Sequence, residues 1–217
     1  MILPEIIAID SETTGLAARK EEMFCFQIGN GVGQNYIIHL YDNNYTFEDV
    51  IPYLKDRILI GHNLLFDLGF MYKHNFFPKR VKDTMLASKI LYNGDMFNIK
   101  HDFASVMQRE LGIVYDKTDQ KNISTVKLSQ PSTIKYSFND VDGLLELHTA
   151  LENKIKAGGY NKTYELQCRY IRALAYIEQC GLPISSKAWK EKMELDVKNT
   201  MLSAEEITEY IYDKLPK

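Results

Sequence analysis

An apolar run, Ile6–Ile9, empties directly into Asp10-Ser11-Glu12, and this junction constrains the fold more than any other stretch of the chain. Four consecutive apolar residues closed by a charge read as a short buried strand. On a strand, residues two apart share a face, so Asp10 and Glu12 converge where the strand gives way to the turn T-T-G. Two converging carboxylates suit a hard, oxygen-seeking cation such as Mg²⁺. A D-x-E pair is also common on protein surfaces, and its place at a strand-to-loop edge is what sets this one apart.

The remaining elements suit an α/β domain. Met23–Ile28, Asn35–Leu40 and Ile58–Ile60 are strand candidates, and Gly61 closes the last. Helical spacing follows at Thr46–Lys55 (cap Thr46), Leu64–His74, Thr84–Leu91 (cap Asp83) and Ile99–Leu111 (stop Gly112). Asp116–Gln130 is polar and reads as a loop, and Ser132–Ile155 reads as one long helix. Strands early and helices later predict a central sheet covered by helices, ending near residue 157. Beyond it, Tyr164–Gln179 and Lys187–Leu215 are two further helical stretches, split by C-G-L-P-I-S.

Bulk properties narrow the classes. With 217 residues, 45% hydrophobic and 25% charged, the chain can bury a core of ordinary size. A net charge of −3 argues against a broad basic surface gripping long duplexes. It leaves open a nucleic-acid partner whose phosphates meet bound cations. Cys25, Cys168 and Cys180 have neither metal-ligand nor disulfide-framework spacing and read as reduced thiols. No apolar run is long enough to span a membrane and no basic-then-apolar leader opens the chain, so a cytoplasmic protein is expected.

Two more segments carry carboxylates. In I-G-H-N-L-L-F-D, Asp67 lies four residues after Asn63, on one face of a helical first turn. Taken alone, Asp67 reads as a first-turn charge favoured by the helix macrodipole. In Y-S-F-N-D, Tyr136 and Asp140 are four apart and share a helix face. They suit a carboxylate ligand with a phenol holding a water, and equally an ordinary pair on an amphipathic helix. Asp142, two residues on, points to another side. The five histidines show no H-x-x-x-H spacing and read as structural or surface residues.

Jointly, the three segments resemble the DEDD superfamily of 3′→5′ exonucleases, in the subgroup with tyrosine in the third motif. The motifs are I-D-S-E-T-T-G-L at 9–16, G-H-N-L-L-F-D at 61–67 and Y-S-F-N-D-V-D at 136–142. The likeness is greatest to the proofreading domain of family A DNA polymerases, the DNA polymerase I type. It extends through K-D-T-M-L-A-S-K-I-L at 82–91 and H-D-F-A-S-V-M-Q-R-E-L-G-I at 101–113. The resemblance implies a ribonuclease H-like fold for residues 1–157, a mixed five-stranded sheet flanked by helices. It implies two Mg²⁺ or Mn²⁺ ions held by Asp10, Glu12, Asp67 and Asp140, with Tyr136 helping to orient the attacking water. It implies a single-stranded or frayed DNA 3′ end as substrate, met by Leu16, Asn63 and Phe66, with Tyr115 stacking on a base. Leu16 and Tyr115 suit plain core packing equally well.

The tail, Y-E-L-Q-C-R-Y-I-R-A-L-A-Y-I-E-Q-C-G-L-P-I-S, resembles the passage from exonuclease into polymerase. Residues 158–217 are therefore expected to be a helical connector, and a polymerase domain is expected in the natural chain. A bacterial cytoplasm, including that of a phage-infected host, suits such a protein. D-K-T-D-Q at 116–120 also resembles the ribonuclease D branch, which would make the substrate RNA. A third reading is a catalytically inactive scaffold domain, against which the full set of carboxylates counts.

Overall fold

A computed structural model of the chain describes residues 3–31, 34–40, 45–93, 99–114 and 141–214. Tyr115, Tyr136 and Asp140 lie outside the described residues. The chain divides into two compact units, one running through Cys180 and one from Gly181 onward.

The first unit is built on a five-stranded mixed sheet. Its strands are β1 (Ile6–Thr13), β2 (Met23–Gly29), β3 (Asn35–His39), β4 (Ile58–Gly61) and β5 (Arg80–Asp83), in the order β3-β2-β1-β4-β5. β1 is central: it pairs antiparallel with β2 and parallel with β4. It outruns the apolar run that announces it, so Asp10 and Glu12 lie within the strand and not at its loop edge. Antiparallel pairing with β2 holds Asp10 opposite Gln27 and Glu12 opposite Cys25, and the register slips only between Glu12 and Thr13. Ile7, Ala8 and Ile9 are buried, each isoleucine contributing about 2–3 kcal/mol of apolar burial.

Helices α1 (Phe47–Leu54), α2 (Leu65–Lys73), α3 (Thr84–Leu91), α4 (Phe103–Leu111), α5 (Leu144–Ala157) and α6 (Asn161–Cys180) complete the unit. Capping explains several of their limits. Asp49 accepts from the Thr46 N–H at 2.8 Å at the start of α1. Asp102 caps α4, and Gly112, at φ 71°, ends it. Phe26, Phe47 and Phe76 interlock edge to face beneath α1, with centroids 5.2 and 6.2 Å apart.

Three features depart from the sequence reading. The fifth strand, Arg80–Asp83, carries a single apolar residue inside a charged stretch, and only its parallel pairing with β4 makes it a strand. The long helix expected over Ser132–Ile155 does not run through residue 143. Gly143 adopts φ 71°, a left-handed conformation that interrupts a right-handed helix, and α5 begins at Leu144. Finally, α6 belongs to the first unit. It buries Tyr164, Cys168, Ile171 and Ala175, and the Tyr72 hydroxyl of α2 donates to the Arg172 carbonyl at 3.0 Å.

The second unit contains α7 (Ser186–Lys214), a single helix of 29 residues. No described helix is long and apolar enough to cross a membrane.

Candidate active site

The site begins with β1, which presents Asp10 and Glu12 on one face and Ser11 on the other. The Ser11 hydroxyl donates to Asp67 Oδ1 at 2.5 Å. This contact joins the first carboxylate motif to the second across 56 residues of sequence. Asp67 lies in the first turn of α2 and is only 3% exposed. Burial, with added repulsion from Asp83 and Glu12, raises its carboxyl to about 7, while the Ser11 hydroxyl and its own backbone N–H pull the other way. Burial likewise lifts Glu12 to about 7. A cation beside these carboxyls would favour their charged forms and relieve that strain.

The turn that delivers Asp67 is held from beneath. Gly61 ends β4, and a Cβ there would meet Leu64 Cδ2 at 2.2 Å, so the close approach of Leu64 requires glycine. Asn63 takes φ 67°, which asparagine tolerates better than most residues. Asp83, at the end of β5, accepts from Leu64 N–H at 2.7 Å and Asn63 N–H at 3.3 Å, and also caps α3 through Met85 N–H and Leu86 N–H. His62 is clamped between the Thr84 hydroxyl and the His101 carbonyl, each at 2.9 Å. Burial lowers its pKa to about 4, so the ring is neutral at pH 7. A neutral ring donates from Nε2 to the His101 carbonyl, and Nδ1 lies within hydrogen-bond distance of the Thr84 hydroxyl, which itself donates to the Gly61 carbonyl at 3.1 Å.

Beside this turn lies a cleft of about 680 Å³. Leu16, Asn63 and Phe66 all line it, so three of the four expected substrate contacts face one space. Leu16 is 88% exposed, which excludes core packing for it. Arg19 and Lys20 add positive charge on the same wall, and Glu178 and Gln179 of α6 border it. Arg19 and Lys20 are not legible in the sequence, because two adjacent cations in a polar loop carry no pattern. Of Asp83 the sequence shows only the capping role, and of Ser11 none.

Among the described residues, no group of three or more His, Cys, Asp and Glu side chains is close enough to hold a metal ion. Asp10, Glu12 and Asp67 are all described and do not form such a group by themselves. Their all-oxygen donor chemistry fits a hard divalent cation.

Comparison with known proteins bears on this arrangement. Residues 3–156 match a family described as 3′-5′ exonuclease. The chain is 26% identical to DNA polymerase I of Aquifex aeolicus over 220 residues, 91% of this chain and 36% of that protein. It thus spans about a third of the length of that relative. In fold it is similar to Brucella melitensis NrnC bound to pGG, with a TM-score of 0.72, 22% identity, and 84% and 88% of the two chains covered. NrnC has also been solved with bound Mg²⁺. Escherichia coli RNase D, an exoribonuclease involved in structured RNA processing, matches with a TM-score of 0.70, 17% identity, and 88% and 49% covered. These neighbours establish a ribonuclease H-like fold.

Proposed function

Since the chain belongs to the 3′-5′ exonuclease family of the polymerase I type, we propose that it removes nucleotides from single-stranded or frayed DNA 3′ ends, as the proofreading module of a family A DNA polymerase. The family match over residues 3–156 carries this reading. The Ser11–Asp67 hydrogen bond supports it, because it ties the second motif, on α2, to the strand that carries the first.

In this reading Asp10, Glu12, Asp67 and Asp140 hold a pair of divalent ions, Mg²⁺ or Mn²⁺. When bound, such a pair lowers the pKa of a water and stabilises the leaving 3′ oxygen of an in-line displacement. The residues themselves do the rest. Tyr136, four residues before Asp140 in the sequence, orients the attacking water through its hydroxyl. Leu16 and Phe66 pack on the terminal bases from the cleft wall, Asn63 contacts the strand, and Tyr115 offers a stacking surface. Arg19 and Lys20 favour entry of the phosphate backbone. Stacking and backbone contacts ignore base identity, so selection falls on ends that fray, and mismatched ends fray most readily. The product is a nucleoside 5′-monophosphate.

Residues 158–217 serve as the connector to a polymerase domain, a reading supported by the similarity to a polymerase over 91% of this chain. A soluble protein of the cytoplasm, including that of a phage-infected host, fits this role. The second reading is an exoribonuclease of the ribonuclease D kind, favoured by the fold likeness to RNase D. The inactive-scaffold reading has no such support.

Digestion of a 5′-labelled DNA oligomer with Mg²⁺, Mn²⁺ or EDTA, beside an RNA oligomer, separates these readings. A metal-dependent ladder shrinking from the 3′ end of DNA, abolished by Asp10→Ala/Glu12→Ala, is expected. A ladder on RNA alone would move the protein to the ribonuclease D branch, and no ladder on either would leave a scaffold.

A further inference from the structure

One amide in the sheet has no hydrogen-bond partner among the described residues. Gln27 is the lone polar side chain with full hydrogen-bonding capacity in β2, M-F-C-F-Q-I-G. It is 0% exposed, and neither Nε2 nor Oε1 has a hydrogen-bond partner among the described residues. Burying an unbonded carboxamide costs free energy that a leucine or methionine of similar volume would not. An orphaned group of this kind calls for a reason.

Its position supplies one. Residues directly opposite in an antiparallel pair share a face, with Cβ atoms about 5 Å apart. Gln27 lies opposite Asp10, and Cys25, two residues back on the same face, lies opposite Glu12. The Cys25 thiol senses that face. Burial first, then the Glu12 and Asp10 charges, push it up to about 12. Gln27 therefore lies on the carboxylate face of β1, next to the residue read above as a cation ligand.

We propose that Gln27 is a positioning residue for Asp10: when a divalent cation occupies the carboxylate face, Gln27 Nε2 donates a hydrogen bond to the Asp10 carboxylate. A carboxamide suits the task because it brings a donor to a crowd of carboxylates without adding charge. Held from the side, Asp10 keeps one orientation toward the cation, as partners behind metal ligands commonly ensure. The inference rests on the reading of Asp10 as a cation ligand.

The test is Mn²⁺ binding to the full chain without nucleic acid, followed by the paramagnetic resonance signal of free Mn²⁺, together with urea unfolding. Gln27→Met removes both polar atoms and keeps the volume, and Gln27→Leu controls for side-chain shape. Both are expected to be at least as stable as wild type and to bind Mn²⁺ roughly 10-fold more weakly. Higher stability with weaker metal binding is a combination that a purely structural glutamine would not produce. Unchanged Mn²⁺ affinity in the variants overturns the inference, even if their stability changes. If the wild type shows no Mn²⁺ binding sensitive to Asp10→Ala, the parent reading fails instead and takes the inference with it.

Discussion

Replacing Asp83 probes how the turn ahead of Asp67 is held. Asp83 is 1% exposed and accepts four backbone N–H groups. Oδ1 takes Met85 at 2.8 Å, Leu86 at 3.1 Å and Asn63 at 3.3 Å, and Oδ2 takes Leu64 at 2.7 Å. In Asp83→Ala all four donors lose their acceptor. Loss of the α3 cap costs about 1 kcal/mol. The Leu64 N–H has the shorter of the two turn bonds, and its loss costs about 2 kcal/mol, with Asn63 adding roughly 1 kcal/mol. Relief of a buried carboxylate, whose pKa burial raises, offsets roughly 1 kcal/mol. The net expectation is a loss of about 3 kcal/mol. Asp83→Asn separates the oxygens. Its Oδ1 keeps three bonds, while its Nδ2 meets the Leu64 N–H donor to donor, for a cost of about 2 kcal/mol. Urea unfolding at constant m-value reads both numbers. Amide exchange should accelerate at Asn63 and Leu64 before it does in β1. An alanine variant within about 1 kcal/mol of wild type, or an asparagine variant indistinguishable from it, would refute this account of the turn.

Two further predictions concern stability. The His62 pKa is depressed to about 4 in the folded state, against roughly 6.5 unfolded. The unfolded chain therefore binds the proton first, and stability that is complete above about pH 6.5 falls by up to roughly 3 kcal/mol as pH drops toward 4. His62→Asn should flatten that part of the urea-midpoint profile, and an equally steep profile in the variant counts against the assignment. The second concerns the end of the first unit. A chain ending at Cys180 should keep the cooperative unfolding of the first unit. One ending at Ala157 should lose several kcal/mol, because removing Tyr164, Ile171 and the Tyr72–Arg172 bond exposes the face of α2. Equal melting of the two truncations would show that α6 is dispensable.

Much of the fold was legible in local windows. Ile6–Ile9 announces the central strand and Gly112 marks the left-handed stop of α4, whereas the start of that helix, at Phe103 with Asp102 as cap, lies later than the Ile99 its spacing suggests. Asp83 was read as a cap and is one. Leu16, Asn63 and Phe66 were grouped by resemblance, and the structure sets them around one cleft. β5 was missed because R-V-K-D has no apolar run, and its strand character comes from a partner about 20 residues upstream. The break at Gly143 was missed because the apolar spacing of helix continues across it.

Apart from β5 and the break at Gly143, the sequence by itself determined which described segments form strands and helices and which residues bring carboxylates, because periodicity, caps and turn residues act within a few residues of one another. Tertiary structure alone decided what surrounds each carboxylate. Ser11 meets Asp67 only because β1 and α2 pack together, and Gln27 stands beside Asp10 only through the register of β1 with β2. The second role of Asp83 likewise appears only when β5 lies against β4. Burial and charge, which move Glu12 and Asp67 to about 7, depend on neighbours brought from far along the chain, and no local window contains them.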